Sequence, residues 1–209
     1  MIDFNPRIKA VLKEYHERIT DETKLMAELP MEEGIKRRDE FLLSIGYETA
    51  VFLNGMIKSS KSVSILEIGA SYGYSTIWLA EAARENKGKV ISLEIDKTKI
   101  AYAKEKLEDC GLSDFVEFRQ GDALEELKNI KEKFDFVLVD IWKEIYVDCF
   151  DLFYPKLKKN AWVIADNMIF PPHSNLETKA YRNRLHKKGT FASILLPIGS
   201  GMEVSNYIK

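Results

Sequence analysis

The sequence predicts an α/β fold: an open seven-stranded sheet with helices on both faces, its last strand antiparallel, preceded by a helical N-terminal extension. Three observations lead there. From Ser62 onward, short apolar runs alternate with helix-length segments of mixed polarity, the pattern of right-handed crossovers feeding a parallel sheet. The last two runs are separated only by Pro197-Ile198-Gly199-Ser200-Gly201, too short for a crossover, so they form a hairpin that reverses the final strand. Before Ser62 the apolar residues recur at helical spacing instead.

Taken in order, Asn5 before Pro6 marks a helix start, and Ile8, Val11, Leu12, Tyr15 and Ile19 form its apolar stripe. Pro30 breaks the pattern. Two further amphipathic pieces are expected, around 35–43 and around 47–57, the second with Val51, Leu53, Met56 and Ile57 as its stripe. Strands are expected at 63–68, 89–94, 115–118, 134–139, 161–165, 191–196 and 202–208, with helices between the first six. The chain reads as one domain over 1–209, with a helical cap over 1–60 and the sheet core over 61–209.

The composition excludes several classes of function. With 45% hydrophobic and 31% charged residues in 209, the chain can bury a core without disulfides or structural metal. A net charge of −2, from 31 basic and 33 acidic residues, argues against adhesion of the whole domain to nucleic acid or an anionic membrane. Local basic strips remain, at Lys36-Arg37-Arg38 and at Arg182, Arg184, Lys187 and Lys188, and such runs are commonly solvated helix faces. Cys110 and Cys149 form no CxxC, the first ten residues lack an apolar leader, and no apolar stretch is long enough to span a bilayer. The expectation is a cytoplasmic protein with free thiols and no membrane partner.

In an open α/β sheet, ligands bind beyond the carboxyl ends of the strands, so chemistry is sought there. The first strand runs into Gly69-Ala70-Ser71-Tyr72-Gly73-Tyr74-Ser75. Two glycines allow a sharp turn and close approach of a ligand, or a tight turn alone. The position two after Gly69 is Ser71, so the GxGxxG fingerprint of a dinucleotide site is absent. Glu94 ends the second strand, as a ribose-binding carboxylate or a solvated charge. Gly121-Asp122-Ala123 follows the third, to meet an adenine edge or to cap a helix through Asp122. Asp140-Ile141-Trp142-Lys143 and Asp166-Asn167 follow the fourth and fifth. Two carboxylates and an amide oxygen suit a hard cation such as Mg²⁺, Ca²⁺ or Mn²⁺, whereas Asp166-Asn167 alone is ordinary turn chemistry. His16, His173 and His186 are not spaced as a zinc cluster.

These motifs together resemble the cation-dependent class I S-adenosyl-L-methionine O-methyltransferases, the family of catechol and caffeoyl-CoA O-methyltransferases. The resemblance is carried by EIGASYGYS (67–75), SLEID (92–96), GDA (121–123), VDIWK (139–143), ADN (165–167) and LPIGSGMEVS (196–205), and covers roughly Ser44 to the C-terminus. It implies a Rossmann-like methyltransferase sheet. It further implies that Gly69, Ser71, Gly73, Tyr74 and Ser75, with the backbone near Ile45, hold the methionine part of S-adenosyl-L-methionine. Glu94 would take the ribose, Asp122 and Ala123 the adenine, and Trp142 would lie against the adenine ring. Asp140, Asp166 and Asn167 would hold Mg²⁺ or another hard divalent cation, with Asp140 in the cofactor set as well, and Lys143 would be the general base.

Two departures separate this chain from the catechol enzymes: Ile141 stands where they carry His, and the short Pro197 to Gly201 turn replaces a longer segment bearing an acidic residue. The substrate expected is a small aromatic hydroxyl compound of catechol or caffeoyl type. The alternatives are a 5-hydroxyuridine in tRNA, or a non-catalytic cofactor-binding regulator. By resemblance the protein is expected to be a homodimer.

Overall fold

The computed structural model describes residues 4–170, 172 and 175–209. Helix α1 spans Pro6–Glu28; the Asn5 side chain accepts a hydrogen bond from the Ile8 amide, and Ile8, Val11, Leu12 and Tyr15 are buried. Helix α2 covers Met31–Arg37 and passes into a 3-10 turn at Arg38–Glu40. The helical piece expected over 35–43 therefore ends at Arg37. Beyond the turn the chain runs extended, because α1 captures it: the Leu42 amide donates to Glu22 Oε2 at 2.7 Å instead of to a helical carbonyl. Phe41, Leu42 and Ile45 anchor this stretch in the core.

Helix α3, Tyr47–Ser60, buries Thr49, Ala50, Leu53, Asn54 and Ile57. Val51 and Met56 of the expected stripe are only half-buried. A polar residue rotates the stripe: Asn54 Nδ2 donates to the Trp78 carbonyl at 2.9 Å and to Glu81 Oε2 at 2.7 Å, so its burial is satisfied.

The sheet comprises β1 Ser64–Ile68, β2 Lys89–Glu94, β3 Val116–Gln120, β4 Phe134–Val139, β5 Leu157–Ala165, β6 Phe191–Leu196 and β7 Met202–Tyr207. Its order is β3-β2-β1-β4-β5-β7-β6. Strand β7 lies antiparallel to both β5 and β6, and the other pairings are parallel. The expected strands recur with small shifts at their ends: β3 starts at Val116 because a 3-10 turn takes Ser113–Phe115 and runs on to Gln120, β5 begins four residues earlier, at Leu157, and β1 and β7 are each one residue shorter.

Helices α4 Tyr74–Glu85, α5 Lys97–Cys110, α6 Ala123–Asn129, α7 Tyr146–Phe153 and α8 Asn175–Lys187 complete the fold. The alternation along β4 divides the core between the two faces of the sheet. Phe136 and Leu138 join Ile8, Leu53 and Trp78 on the side of α1, α3 and α4, while Val137 and Val139 join Leu127, Phe150 and Tyr181 on the side of α6, α7 and α8. Among the described residues no helix is long and apolar enough to cross a membrane.

Strand order reverses between β1 and β4, and the crevice opens where their carboxyl ends diverge. Gly69 turns the chain there with φ +95°, and a Cβ at this position would collide with the Asp140 carbonyl oxygen. Beneath the turn, fully buried Glu67 accepts hydrogen bonds from the hydroxyls of Ser75 at 2.6 Å, Thr76 at 2.7 Å and Ser92 at 2.5 Å, tying β1, β2 and α4 together. Burial outweighs these donors and pushes the Glu67 carboxyl up to about 7.

Two outcomes are expected. Gly69→Ala, strained in φ and in collision with backbone, should destabilise the fold by more than about 2 kcal/mol in urea denaturation. Glu67 has a raised folded-state pKa, so its contribution is fully present below about pH 4.5 and is lost as pH rises through about 7. Between pH 5 and 8 the native protein should therefore lose stability relative to Glu67→Gln, by up to about 3 kcal/mol, as read from denaturation curves at the two pH values.

Candidate functional site at the sheet switch point

The turn after β1 carries three left-handed residues, Gly69, Ser71 at φ +46° and Gly73 at φ +87°. A Cβ on Gly73 would come within 2.6 Å of Ala103 Cβ, so glycine also lets the turn pack on α5. The Ser71 amide donates to Glu94 Oε2 at 2.7 Å, and the Ile95 and Asp96 amides donate to Oε1 at 2.9 Å. Glu94 is thus clamped at the mouth of the turn, with acceptor capacity remaining on Oε2. Asp122 Oδ1 caps α6, accepting from the Leu124 and Glu125 amides at 2.9 and 3.2 Å, and Oδ2 has no partner among the described residues. Helix cap and ligand contact are therefore compatible. Ala123 is buried next to it.

Tyr74 and Ser75 direct their side chains away from the crevice. The Tyr74 hydroxyl meets His16 Nε2 at 3.0 Å within a cluster containing Tyr15 and Trp78, and burial raises its pKa. The Ser75 hydroxyl serves Glu67. What these two residues offer a ligand is backbone. Ile45 is buried in the extended stretch that passes the turn, where Ser71 Oγ donates to the Leu42 carbonyl at 3.3 Å. Trp142, 45% exposed, carries the Arg38 guanidinium 4.0 Å over its ring.

Past β4 and β5 the polar groups converge. Asp140 and Asp166 are fixed by their amides, which donate to the Ile68 and Val139 carbonyls, each at 3.0 Å. Asp166 is 1% exposed, and neither of its carboxylate oxygens has a well-formed hydrogen bond among the described residues, although the neighbouring Asn167 amide favours the ionised form. Burial pushes both carboxyls upward; Asp140 adds to the rise at Asp166, and Lys143 opposes it at both. Asn167, at φ +52°, turns its Oδ1 to Lys143 Nζ at 2.8 Å. Lys143 Nζ also donates to the Ile141 carbonyl at 3.0 Å and the Tyr146 hydroxyl at 2.9 Å. Burial lowers the Lys143 pKa, against the pull of Asp140 and Asp166.

Exposed Leu43, Trp142, Ile169 and Phe170 give the protein apolar surface on the segments that flank this cluster. The short β6–β7 turn holds part of it: the Ile169 and Phe170 amides donate to the Ser200 carbonyl at 3.0 Å, and the Met168 amide to the Gly201 carbonyl at 2.9 Å.

The structure brings together Asp140, Lys143, Asp166 and Asn167, and separately the Gly69 turn with Glu94. Among the described residues no three His, Cys, Asp or Glu gather around one point; the donor set consists of two carboxylates and an amide. His16 packs on Tyr74, His186 lies 3.8 Å from Glu203, and His173 lies outside the described residues. Part of the basic strip is engaged internally: Arg182 pairs with buried Glu203 at 2.8 Å, Arg184 with Asp151 at 2.8 Å, and Lys188, just past α8, lies 4.5 Å over the Tyr154 ring. Sequence reasoning missed Glu67 and Tyr146. The signals were present: an acid inside an otherwise apolar strand, and a tyrosine three residues after Lys143, one helical turn away.

Comparison with known proteins identifies the family and the fold. The family model described as O-methyltransferase matches residues 16–202. A catechol O-methyltransferase from Niastella koreensis is 31% identical over 131 residues, covering 61% of this chain and 59% of that protein. A caffeoyl-CoA O-methyltransferase from Eucalyptus gunnii is 24% identical over 188 residues, covering 80% and 75%. The chain spans about three fifths of the length of the curated catechol relatives it matches. In fold, it superposes on the O-methyltransferase from Bacillus cereus, solved with SAH, with a TM-score of 0.77 at 22% identity, over 99% of this chain and 93% of that one. With its sheet order, its glycine turn and a family match across most of its length, the chain belongs to the O-methyltransferase family.

Proposed function

We propose that the protein transfers a methyl group from S-adenosyl-L-methionine to a hydroxyl of a small aromatic ortho-diol, with a hard divalent cation held by Asp140, Asp166 and Asn167. The observation that carries this reading is Asp166, a buried carboxylate whose two oxygens lack a well-formed hydrogen bond among the described residues, beside a second acid. Such a group is costly unless it is neutralised or coordinated. The donor set fits the cation: carboxylate and amide oxygens are hard ligands, and Asn167 Oδ1 keeps a second lone pair beside its bond to Lys143. When bound, a cation of this kind polarises a substrate hydroxyl, lowers its pKa and fixes its oxygen. The methyl donor arrives already activated as a sulfonium, so no protein acid is required for the leaving group.

The chain's own residues then have three tasks. The glycine turn and Glu94 hold the donor, through backbone amides at the start of α4 and a carboxylate that its own amides have already oriented. The apolar surface of Leu43, Trp142, Ile169 and Phe170 receives an aromatic ring and limits water. Lys143 takes the hydroxyl proton. Its depressed pKa makes the neutral amine accessible, and on protonation its three N–H groups find three acceptors, so the proton is retained. The internal pairing of Arg182 and Arg184 supports a small substrate over RNA.

Asp166→Ala should abolish nearly all methyl transfer to a catechol while leaving donor affinity, measured by calorimetry, within a few-fold of the original. EDTA should remove activity and Mg²⁺ restore it; full turnover in EDTA would overturn the cation-assisted mechanism. Lys143→Met should lower kcat by roughly 10² to 10⁴, with the residual rate climbing as pH approaches the ionisation of the free substrate hydroxyl. A flat residual profile would show that Lys143 is not the base.

A further inference from the structure

Two adjacent arginines stand where α2 passes into the 3-10 turn, and they are held differently. Arg37 lies 3.0 Å from Glu40 and 3.9 Å from Glu33. Arg38 has no carboxylate partner among the described residues; its guanidinium lies 4.0 Å over the ring of Trp142, two residues from Asp140 and next to Lys143. Its carrier is pinned on both sides. Arg18 Nη2 donates to the Glu40 carbonyl at 3.2 Å, Glu22 takes the Leu42 amide at 2.7 Å, and the Leu42 carbonyl accepts from Ser71 Oγ at 3.3 Å. The cap therefore hangs a cation beside the crevice and holds it over the Trp142 ring.

A guanidinium held over a ring with no carboxylate partner among the described residues keeps N–H groups that can take a carboxylate bidentately. The exposed side chains on the neighbouring segments, Leu43, Ile169 and Phe170, are apolar. A neutral diol gives a rim cation no task.

We propose that Arg38 is a specificity-determining residue that grips a carboxylate on the substrate, so that the preferred acceptors are aromatic ortho-diols bearing an acid group on the ring or on a short side chain. The inference rests on the methyl-transfer reading, which supplies the diol but not its charge.

The test compares 3,4-dihydroxybenzoate with neutral catechol on the full chain, with Mg²⁺ and S-adenosyl-L-methionine. It uses the native protein, Arg38→Met, which keeps an unbranched stem for Trp142, and Arg38→Lys, which keeps the charge without the fork. Thermal melts check that each variant folds. The native protein should prefer the acid, and Arg38→Met should cut the ratio of the two kcat/KM values at least tenfold, chiefly through KM for the acid. Arg38→Lys should recover part of that ratio. An unchanged ratio in Arg38→Met, or a native preference for the neutral diol, overturns the proposal.

A second readout separates this from the parent reading: quenching of tryptophan emission as each diol is titrated into protein holding S-adenosylhomocysteine and Mg²⁺. Arg38-dependent binding of the acid without turnover of either diol supports the grip and rejects the reaction. If neither diol binds and Arg38→Met instead slows methylation of tRNA carrying 5-hydroxyuridine, the proposal is overturned in favour of RNA.

Discussion

The crevice depends on one backbone contact. Gly69 lies so close to the Asp140 carbonyl that no side chain fits between them, and the Asp140 amide is bonded back to Ile68. The turn after β1 and the first residue after β4 are thereby locked to each other. In the proposed reaction, one side of the contact carries the turn for the methyl donor and the other carries the acids for the acceptor. In-line transfer is sensitive to fractions of an ångström in the separation of donor and acceptor, and here that separation is set by main chain instead of by flexible side chains.

Around that contact stand three ionisable groups, Asp166 buried and Asp140 and Lys143 half-buried, whose pKa values are shifted from those in water. Asp140 and Asp166 are pushed upward and Lys143 downward, all three chiefly by loss of solvent. Uncompensated burial of this kind is destabilising, and it persists at sites where a ligand completes the charge balance. Tyr146 contributes without charge. Its hydroxyl is 3.0 Å from the Val139 carbonyl and 3.2 Å from the Asp166 carbonyl, and it accepts from Lys143, so one phenol spans the ends of β4 and β5 and aims the amine between them.

Much of this was legible in the sequence, for reasons that can be named. Parallel strands buried on both faces read as continuous apolar runs, so β1, β2 and β4 stood out, and the five residues from Pro197 to Gly201 could only make a hairpin. The convergence of Asp140, Lys143, Asp166 and Asn167 was legible because they follow neighbouring strands of a parallel sheet. What was hidden depends on partners distant in sequence. Asn54 enters the core because Glu81, on another helix, receives it. The stretch after Arg37 gives up helix because Glu22 takes the Leu42 amide. Arg182 and Arg184 looked like a surface strip until Glu203 and Asp151 arrived from elsewhere in the chain. Periodicity records what a segment prefers alone and carries no trace of a hydrogen bond made across the fold.

The hydroxyl cage around Glu67 bears on how this sequence can drift. Ser75, Thr76 and Ser92 each satisfy part of one buried carboxylate, and Ser75 also sits in the turn that faces the crevice. Removing any one hydroxyl leaves an acid short of a donor, and removing the acid leaves three hydroxyls without their acceptor. The four positions are energetically coupled, so single changes are penalised where joint changes need not be. Within the family, then, these positions should vary as a correlated block, and a chain that has lost the acid should have exchanged its surrounding hydroxyls for apolar or self-satisfying side chains.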